Sequence, residues 1–331
     1  MTGIPPPLRP QVAPCKASVM LKAYNHERFI AQAIDSALAQ QTEFPYEILI
    51  GEDCSTDGTR SIVLEYAARH PDRIRVLASE RNLGMVGSTM ALYAACRGEY
   101  IAWLDGDDYW ISTDKLQRQV DFLNAHREYT LCYHDSLVLE PGGRAHRHSL
   151  ATPGQTTYTI VDLLVGPLGF AGSCVYRKVL AGFPPWFEHL PYSDWPLQLL
   201  HAERGLAAWL PGLLSVYRAD GTSEAALGYN AHAHRTIYEF WAGRQAAVYD
   251  AFNRHSSFRY DRLIRTELMK IGPRGQRVYR VTPRWSRLRS LAWRLVRRRP
   301  ALARAALAAG GLLAAIAERV HRPRVSSDGS P

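Results

Sequence analysis

Apolar and polar residues follow two alternating periods along the first part of the chain. Short apolar runs rich in β-branched and aromatic residues predict buried strands at residues 17–23, 46–51, 73–78, 100–104 and 129–139. Between these runs, apolar residues recur every three or four positions, which predicts helices over 29–38, from 59 onwards, over 85–96 and over 115–125. Regular alternation of strand and helix is typical of an α/β fold with a mainly parallel sheet.

The pattern weakens after residue 140. Residues 141–155 are rich in Gly, Pro and polar side chains, so we expect a domain boundary there. Beyond it the sequence predicts strands at 172–176 and 213–217, and helices at 195–204, 231–254 and 260–271. The chain is therefore expected to divide into a disordered arm (1–16), an α/β unit (17–140), a second unit (141–225), a helical extension (226–283) and a tail (284–331).

The composition is that of a globular protein. Of the 331 residues, 47% are hydrophobic and 21% are charged, which excludes wholesale disorder. The five cysteines are far apart and form no CxxC pair, which favours a reducing compartment and counts against a zinc site.

The net charge of +9 is concentrated at one end of the chain. Residues 274–331 contain fourteen Arg and only two acidic residues, Glu318 and Asp328, for a net +12. The preceding 273 residues therefore carry a net charge of −3.

The basic tail predicts an amphipathic helix. Over 284–299, Trp and Leu residues lie along one helical face among arginines, a pattern typical of contact with an anionic membrane surface, here through residues 284–320. Two alternatives are nucleic-acid phosphate binding and a solvated helix packed on the protein body. Because the arginines alternate with apolar residues, we expect no specific nucleic-acid partner.

The targeting signals are few. The Pro-rich N-terminus lacks the apolar segment of a secretory signal, and no apolar run reaches the roughly 20 residues needed to span a bilayer. We therefore expect a cytoplasmic protein, with the tail as a candidate contact with the cytoplasmic face of the membrane.

Candidate chemistry lies where strands end, because parallel sheets bind ligands at the carboxyl ends of their strands. Three acidic residues, Asp105, Asp107 and Asp108, follow the strand at 100–104. Such crowded carboxylates repel one another unless a cation lies among them, and hard oxygen ligands suit Mg²⁺ or Mn²⁺. The alternative is a solvated acidic turn that caps the next helix.

Asp53 ends another predicted strand, where its carboxylate can accept the imide N–H of a base such as uracil. Asp57 is assigned mainly to the turn into the next helix. No GxGxxG follows the first strand, which counts against a dinucleotide-dependent dehydrogenase.

Three segments in order carry a family resemblance. ASVMLKAYNHERFIAQAIDSALAQ, EILIGEDCSTDGT and NLGMVGSTMALYAACRGEYIAWLDGDDYW resemble the family 2 glycosyltransferases of the GT-A fold, and the resemblance extends over about residues 17–223. It implies a Rossmann-like, mainly parallel sheet with flanking helices. It also implies that unit 17–140 binds a nucleotide-sugar and that unit 141–225 binds the acceptor and supplies the catalytic base.

The resemblance implies roles for several of these residues. The residues expected to bind the nucleotide-sugar are Tyr24 and Glu27 in the nucleotide pocket, Asp53 at the base, Asn82 and Gly84 beside the pocket, and Asp105 near the ribose. Asp107 is expected to bind Mn²⁺ or Mg²⁺.

Two further positions come from the second unit. Asp194, in PYSDWPLQLLHAERG, matches the family's catalytic base, and a helix N-cap is the alternative interpretation. Asp220 stands where the family often has a His that supports the metal or diphosphate. It is either a carboxylate metal ligand, or the contact is missing.

The implied function is metal-dependent, inverting transfer of a single sugar from a UDP- or dTDP-linked donor to a hydroxyl of a glycan or lipid-linked acceptor. Cell-surface polysaccharide or glycolipid biosynthesis is the expected setting. The QxxRW element of processive synthases is missing, since Val281 rather than Gln precedes Arg284 by three residues. The alternatives are a non-catalytic nucleotide- or sugar-binding relative and a nucleic-acid-binding protein with a basic tail. Because Asp107 and Asp194 are both present, the enzyme is favoured over the non-catalytic relative.

Overall fold

A computed structural model describes residues 15–149, 151–164, 166–219, 247–257, 259–260 and 263–264. Most of the expected N-terminal arm, Asp220, most of the helical extension and the whole basic tail lie outside these ranges. The predictions made for those parts remain predictions.

The described chain forms ten strands and, before the end of β10, six α-helices. The strands are β1 (Ala17–Ala23), β2 (Tyr46–Glu52), β3 (Ile74–Ala78), β4 (Tyr100–Asp105), β5 (Tyr109–Trp110), β6 (Tyr129–Leu139), β7 (Ala145–His148), β8 (Thr157–Tyr158), β9 (Val175–Arg177) and β10 (Leu206–Arg218). The helices are α1 (Ile30–Leu38), α2 (Thr59–Arg69), α3 (Gly84–Ala95), α4 (Lys115–Ala125), α5 (Ile160–Leu163) and α6 (Asp194–Ala202). Residues 247–255 are also helical.

All ten strands belong to one mixed sheet. Its order is β3-β2-β1-β4-β9-β6-β10-β5, with β7 paired to β6 and β8 to β10. Strands β3, β2, β1 and β4 are parallel, and β9 runs antiparallel between β4 and β6. In this register Lys22 of β1 lies opposite Asp105 of β4. The carboxyl ends of β1, β2 and β4 therefore meet at one edge of the sheet.

Helices cover both faces of the parallel half. Val19 and Leu21 of β1 pack in a core cluster with α1 and α4, whereas Met20 faces a second cluster with α3 and α6. Strands buried on both faces are apolar almost without a break. This explains why the apolar runs located the parallel strands well.

The first-half strands and helices predicted from the sequence are confirmed, and so is the expected α/β architecture of a mainly parallel sheet with flanking helices. The predicted strand at 172–176 is wrong in part: a 3-10 turn occupies Ala171–Ser173, and β9 begins after it. Trp110 Nε1 donates to the Gly172 carbonyl at 3.0 Å, which holds that turn against the sheet. The strand predicted at 213–217 is longer, because it begins at Leu206 and contains register shifts.

The expected boundary at 141–155 contains β7, which hydrogen-bonds back onto β6. The division into subdomains stays a prediction, and one sheet contains strands from both sides of that boundary. Within the described ranges, no helix combines the length and apolar character needed to cross a membrane.

Candidate active site

The turn after β4 folds over the end of β1. The N–H of Gly106 donates to the carbonyl of Lys22 at 2.8 Å. A Cβ at Gly106 would lie 2.7 Å from that carbonyl oxygen and 2.6 Å from His26 Nδ1, so a larger residue would push the turn away. A glycine between Asp105 and Asp107 thus brings both acids to the edge of β1.

Asp105 is held by two partners. Its Oδ1 accepts a hydrogen bond from Trp103 Nε1 at 3.0 Å and lies 3.3 Å from Lys22 Nζ. Asp107 is buried, and its Oδ2 lies 3.9 Å from His26 Nε2. Burial raises the pKa of Asp107 and the neighbouring Asp105 adds to the rise, while His26 and Lys22 oppose it.

Asp108 is buried more deeply. Its Oδ1 accepts a hydrogen bond from the Arg218 N–H at 2.8 Å, which ties the turn after β4 to the end of β10. Burial, followed by the charges of Asp107 and Asp105, raises the pKa of Asp108 well above its ordinary value. The alternative of a solvated acidic turn therefore does not hold for Asp107 and Asp108, because both are buried.

These carboxylates fit a divalent cation by their chemistry. An added cation stabilises anions that burial and mutual repulsion destabilise, and oxygen ligands suit Mg²⁺ and Mn²⁺. Among the residues that the structure describes, no three His, Cys, Asp or Glu side chains are grouped to hold an ion. That arrangement suits an ion that one or two carboxylates and substrate phosphates bind together.

Asp53 lies at the end of β2 and is 5% exposed. Its Oδ1 accepts a hydrogen bond from the Leu83 N–H at 2.7 Å, so this carboxylate connects β2 to the loop before α3. Asn82 Oδ1 accepts from the Gly84 N–H at 2.8 Å and shapes the same loop, where Gly84 has φ +73°. Sequence reasoning missed these structural contacts, which bring Asp53, Asn82 and Gly84 together.

Tyr24 and Glu27 lie in the loop after β1. The Tyr24 side chain is 42% exposed. The Glu27 carboxylate accepts a hydrogen bond from the Gly58 N–H at 2.7 Å, and the Glu27 N–H donates to Asp57 at 3.1 Å. Glu27 therefore joins the loops after β1 and β2. Asp57 also accepts from the Thr59 N–H at 2.9 Å, in the turn that leads into α2.

Asp194 lies at the start of α6, a helix that packs in the same core cluster as Met20 of β1 and Trp103 of β4. The N-cap is Ser193, and Asp194 is the first helical residue, so the interpretation of Asp194 as the cap is wrong by one residue. The Ser193 hydroxyl hydrogen-bonds with that of Thr89 in α3 at 2.8 Å, which fixes the start of α6.

The surroundings of Asp194 link it to the β4 acids. Burial raises the pKa of Asp194, the Trp195 N–H and Lys22 oppose the rise, and Asp105 adds to it. Asp194 is thus close enough to the Lys22–Asp105 pair to share its electrostatic field. Asp105 and Asp107 lie together at the carboxyl end of β4, and Asp194 lies within the electrostatic reach of Asp105, whereas Asp220 lies outside the described residues.

Sequence reasoning missed two residues here. Lys22 and His26 both approach the β4 acids, and neither was assigned a role. A signal existed for Lys22, because it is the one charged residue in the apolar run of β1.

The chain was compared with proteins of known family. Residues 18–181 match the family model described as glycosyl transferase family 2. An uncharacterized protein of Mycobacterium tuberculosis is 36% identical over 205 residues, which are 61% of this chain and 58% of that protein. The chain thus covers less than two thirds of the length of these curated relatives.

A second relative has a named activity. The UDP-Glc:alpha-D-GlcNAc-diphosphoundecaprenol beta-1,3-glucosyltransferase of Escherichia coli is 36% identical over 106 residues, 32% of this chain and 40% of that enzyme. Among solved structures, a mannosyltransferase from Pyrobaculum calidifontis in complex with GDP-Man and Mn²⁺ shares the fold. Its TM-score is 0.53 at 16% identity, with 88% of this chain and 84% of that chain covered. Together with the strand order and the acids at the sheet edge, these matches show that the chain carries a family 2 glycosyltransferase domain of the GT-A fold.

Proposed function

We propose that the chain transfers a single sugar, with inversion, from a UDP- or dTDP-linked donor to a hydroxyl of a glycan or lipid-linked acceptor. The observation that carries this proposal is that Asp194, at the start of α6, interacts electrostatically with Asp105 at the end of β4 and with Lys22 beside it. A donor-binding edge and a separate carboxylate on another element are what transfer between two bound substrates requires.

The donor binds along the ends of β1, β2 and β4. Asp53 contacts the base, Tyr24 borders it, and Asp105 lies near the ribose. The loops that hold these side chains are fixed by hydrogen bonds to Leu83 and Gly58. A rigid loop frame of this kind supports the proposal, because fixed groups lose little entropy when the donor binds.

The metal is Mn²⁺ or Mg²⁺, held by Asp107, with Asp220 as the second candidate ligand. When bound, it neutralises charge that develops on the leaving diphosphate. Asp107 suits this role because a neighbouring cation would stabilise its buried carboxylate.

Asp194 accepts the proton of the acceptor hydroxyl as the sugar is attacked from the face away from the nucleotide. A free aspartate is a weak base toward a hydroxyl. Burial raises the pKa of Asp194 and therefore makes its carboxylate a better proton acceptor than an exposed aspartate. Positioning of the two substrates contributes as well.

The acceptor is proposed from the relatives. The E. coli enzyme acts, by its name, on a diphosphoundecaprenol-linked sugar, and this supports a lipid-linked acceptor in cell-surface polysaccharide or glycolipid biosynthesis. The arginine-rich segment 284–320 would then contact an anionic membrane surface on the cytoplasmic side, where such lipids are reached.

The membrane contact can be tested with anionic vesicles. Truncation before residue 284 removes eleven of the forty Lys and Arg residues. The truncated protein should remain in the supernatant under conditions in which the full chain pellets. Equal pelleting of both proteins would show that the anchor is elsewhere.

The activity is tested by incubating the full chain with a panel of nucleotide-sugars and a lipid-linked acceptor, with Mn²⁺ or Mg²⁺. We expect one donor to release its nucleoside diphosphate in step with glycosylation of the acceptor, with an inverted anomeric configuration in the product. Binding of a nucleotide without any transfer, even with acceptors of several classes, would favour the non-catalytic relative.

A further inference from the structure

One charged side chain interrupts the buried strand β1. Lys22 lies near its carboxyl end, with a side chain only 15% exposed. Its Nζ lies 3.3 Å from Asp105 Oδ1 and 4.6 Å from the centre of the Trp103 ring. A lysine is unusual in such a buried position, because removing an ammonium from water costs free energy that only close partners restore.

The neighbours of Lys22 fix where its charge lies. Lys22 is paired with Asp105 in the strand register, and its carbonyl accepts the Gly106 N–H. Trp103 contacts the ammonium with its ring and donates its indole N–H to the same oxygen of Asp105. The ammonium is therefore held beside Asp105 at the carboxyl end of β1, next to the turn that carries Asp107.

The charges around Lys22 make this position important. Asp105, Asp107 and Asp194 all lie within its electrostatic reach. A nucleotide-sugar carries two negative charges on its diphosphate, and these carboxylates repel it. A divalent ion offsets two charges only when it is bound, whereas Lys22 is a cation that the fold itself supplies.

We propose that Lys22 binds the diphosphate of the nucleotide-sugar donor. This inference rests on the proposed function and adds a binding residue to it. An ammonium has three N–H donors, so Lys22 can hold Asp105 and a phosphate oxygen together. Lys22 thus complements the metal ion in offsetting the negative charge of the donor.

A purely structural ion pair is the alternative, and the chain contains a matched control for it. Lys16 lies just before the amino end of β1, with Nζ 2.7 Å from Glu99 Oε2 and 5.3 Å from the centre of the Tyr100 ring. The two lysines therefore have the same kinds of neighbour, an acid and an aromatic ring near or in β4. They differ in that Lys16 lies at the opposite end of the strand from the candidate site.

The test compares Lys22→Met, Lys22→Arg and Lys16→Met in the full chain. Binding of UDP and uridine, and of dTDP and thymidine, is measured by calorimetry with Mn²⁺ and again in EDTA. Lys22→Met should weaken diphosphate binding by roughly 10- to 100-fold, the range for a hydrogen bond to a charged group. Nucleoside binding should change less than about twofold, because a nucleoside has no phosphate.

The other variants complete the test. Lys22→Arg should retain most of the diphosphate affinity, Lys16→Met should retain all of it, and the loss in Lys22→Met should persist in EDTA. An equal loss of nucleoside and diphosphate binding would overturn the inference and assign Lys22 a structural role. A wild-type chain that binds its nucleoside diphosphate, with Lys22→Met unchanged, would overturn this inference alone. A wild-type chain that binds no nucleoside diphosphate would overturn the proposed function as well.

Discussion

Glu47, a buried acid at the amino end of the parallel strands, differs from three acids near the carboxyl end in how the fold partners it. At the amino end, Glu47 of β2 accepts hydrogen bonds from the Ser18 hydroxyl at 2.7 Å, the Arg97 N–H at 2.8 Å and Arg75 at 2.6 Å. Burial alone would raise the pKa of Glu47, but the hydrogen bonds from Ser18, Arg75 and Arg97 outweigh it and the pKa is lowered. This acid is fully partnered within the protein.

At the carboxyl end the balance is reversed. Burial raises the pKa of Asp107, Asp108 and Asp194, and the charged neighbours and N–H groups that oppose the rise do not cancel it. Such anions destabilise the folded protein until a cation or a proton joins them. Burial alone therefore does not separate Glu47, which the fold stabilises as an anion, from Asp107 and Asp194, which we propose to be functional. These acids differ in how far the fold's own partners offset the cost of burial.

Of the substitutions that test this difference between the acids, Asp194→Asn is expected to have the largest effect on transfer. Asp194→Asn should lower transfer by roughly 10²–10⁴-fold, the usual range for the loss of a general base. Stability should hardly change, because Ser193, not Asp194, occupies the N-cap position, and the neutral Asn removes an anion that burial disfavours. Donor binding should survive, since the donor contacts lie on β1, β2 and β4.

Single-turnover assays and thermal unfolding of this variant give both readouts. Transfer within a few-fold of wild type, in a protein that is still folded, would mean that another group is the base. Because the pKa of Asp194 is raised, wild-type turnover should fall on the acid side at a higher pH than an exposed aspartate would require.

Asp107 is expected to follow in size. Asp107→Asn should reduce transfer by roughly 10²–10³-fold, as expected when a group that stabilises transition-state charge is lost. In EDTA its melting temperature should equal or exceed that of wild type, because a buried, disfavoured anion is removed. Added Mn²⁺ should stabilise wild type more than the variant. Full wild-type activity in excess EDTA would contradict the metal role.

A smaller effect, on stability alone, is expected at the amino end. Glu47→Gln should destabilise the fold by about 1–3 kcal/mol, because it weakens hydrogen bonds to a charged acceptor and leaves Arg75 without its anion. Turnover per folded molecule should stay unchanged. Urea unfolding monitored by circular dichroism measures the free energy of unfolding, and initial rates measure the turnover.

The difference in stability between wild type and Glu47→Gln should depend on pH, and the direction follows from the sign of the Glu47 pKa shift. The pKa of Glu47 is lower in the folded protein than the ordinary value of 4.5, so its stabilisation is complete well above that pH. It is lost as the pH falls through the folded-state pKa. The gap between wild type and Glu47→Gln should therefore close in acid. A gap that stays constant down to pH 3 would mean that the charge of Glu47 does not matter.

Much of the parallel half of the fold could be predicted from the sequence. Strands buried on both faces appear as uninterrupted apolar runs, and acids directly after them had to collect at one edge. The prediction therefore brought Asp53, Asp105 and Asp107 to the same edge of the sheet as the structure does.

The rest of the fold and of the candidate site depends on contacts between residues that are far apart in the sequence. The pairing of Lys22 with Asp105 requires the register of β1 against β4, and the hydrogen bond between Ser193 and Thr89 requires the packing of α6 on α3. The predicted strand at 172–176 was wrong in part because the tertiary contact of Trp110 with Gly172 favours a 3-10 turn there. The pattern of apolar and polar residues within one segment contains no information about such tertiary contacts.

The difference between the two ends of the strands is tested most directly by calorimetry. The ligand is the nucleoside diphosphate that the preferred donor releases, and its affinity in Mn²⁺ is measured for wild type, Asp107→Asn and Glu47→Gln. We expect Glu47→Gln to bind as wild type does although it unfolds more easily, and Asp107→Asn to lose affinity although it is at least as stable. Reduced affinity in Glu47→Gln, or wild-type affinity in Asp107→Asn, would contradict the separation of a stabilising end and a functional end.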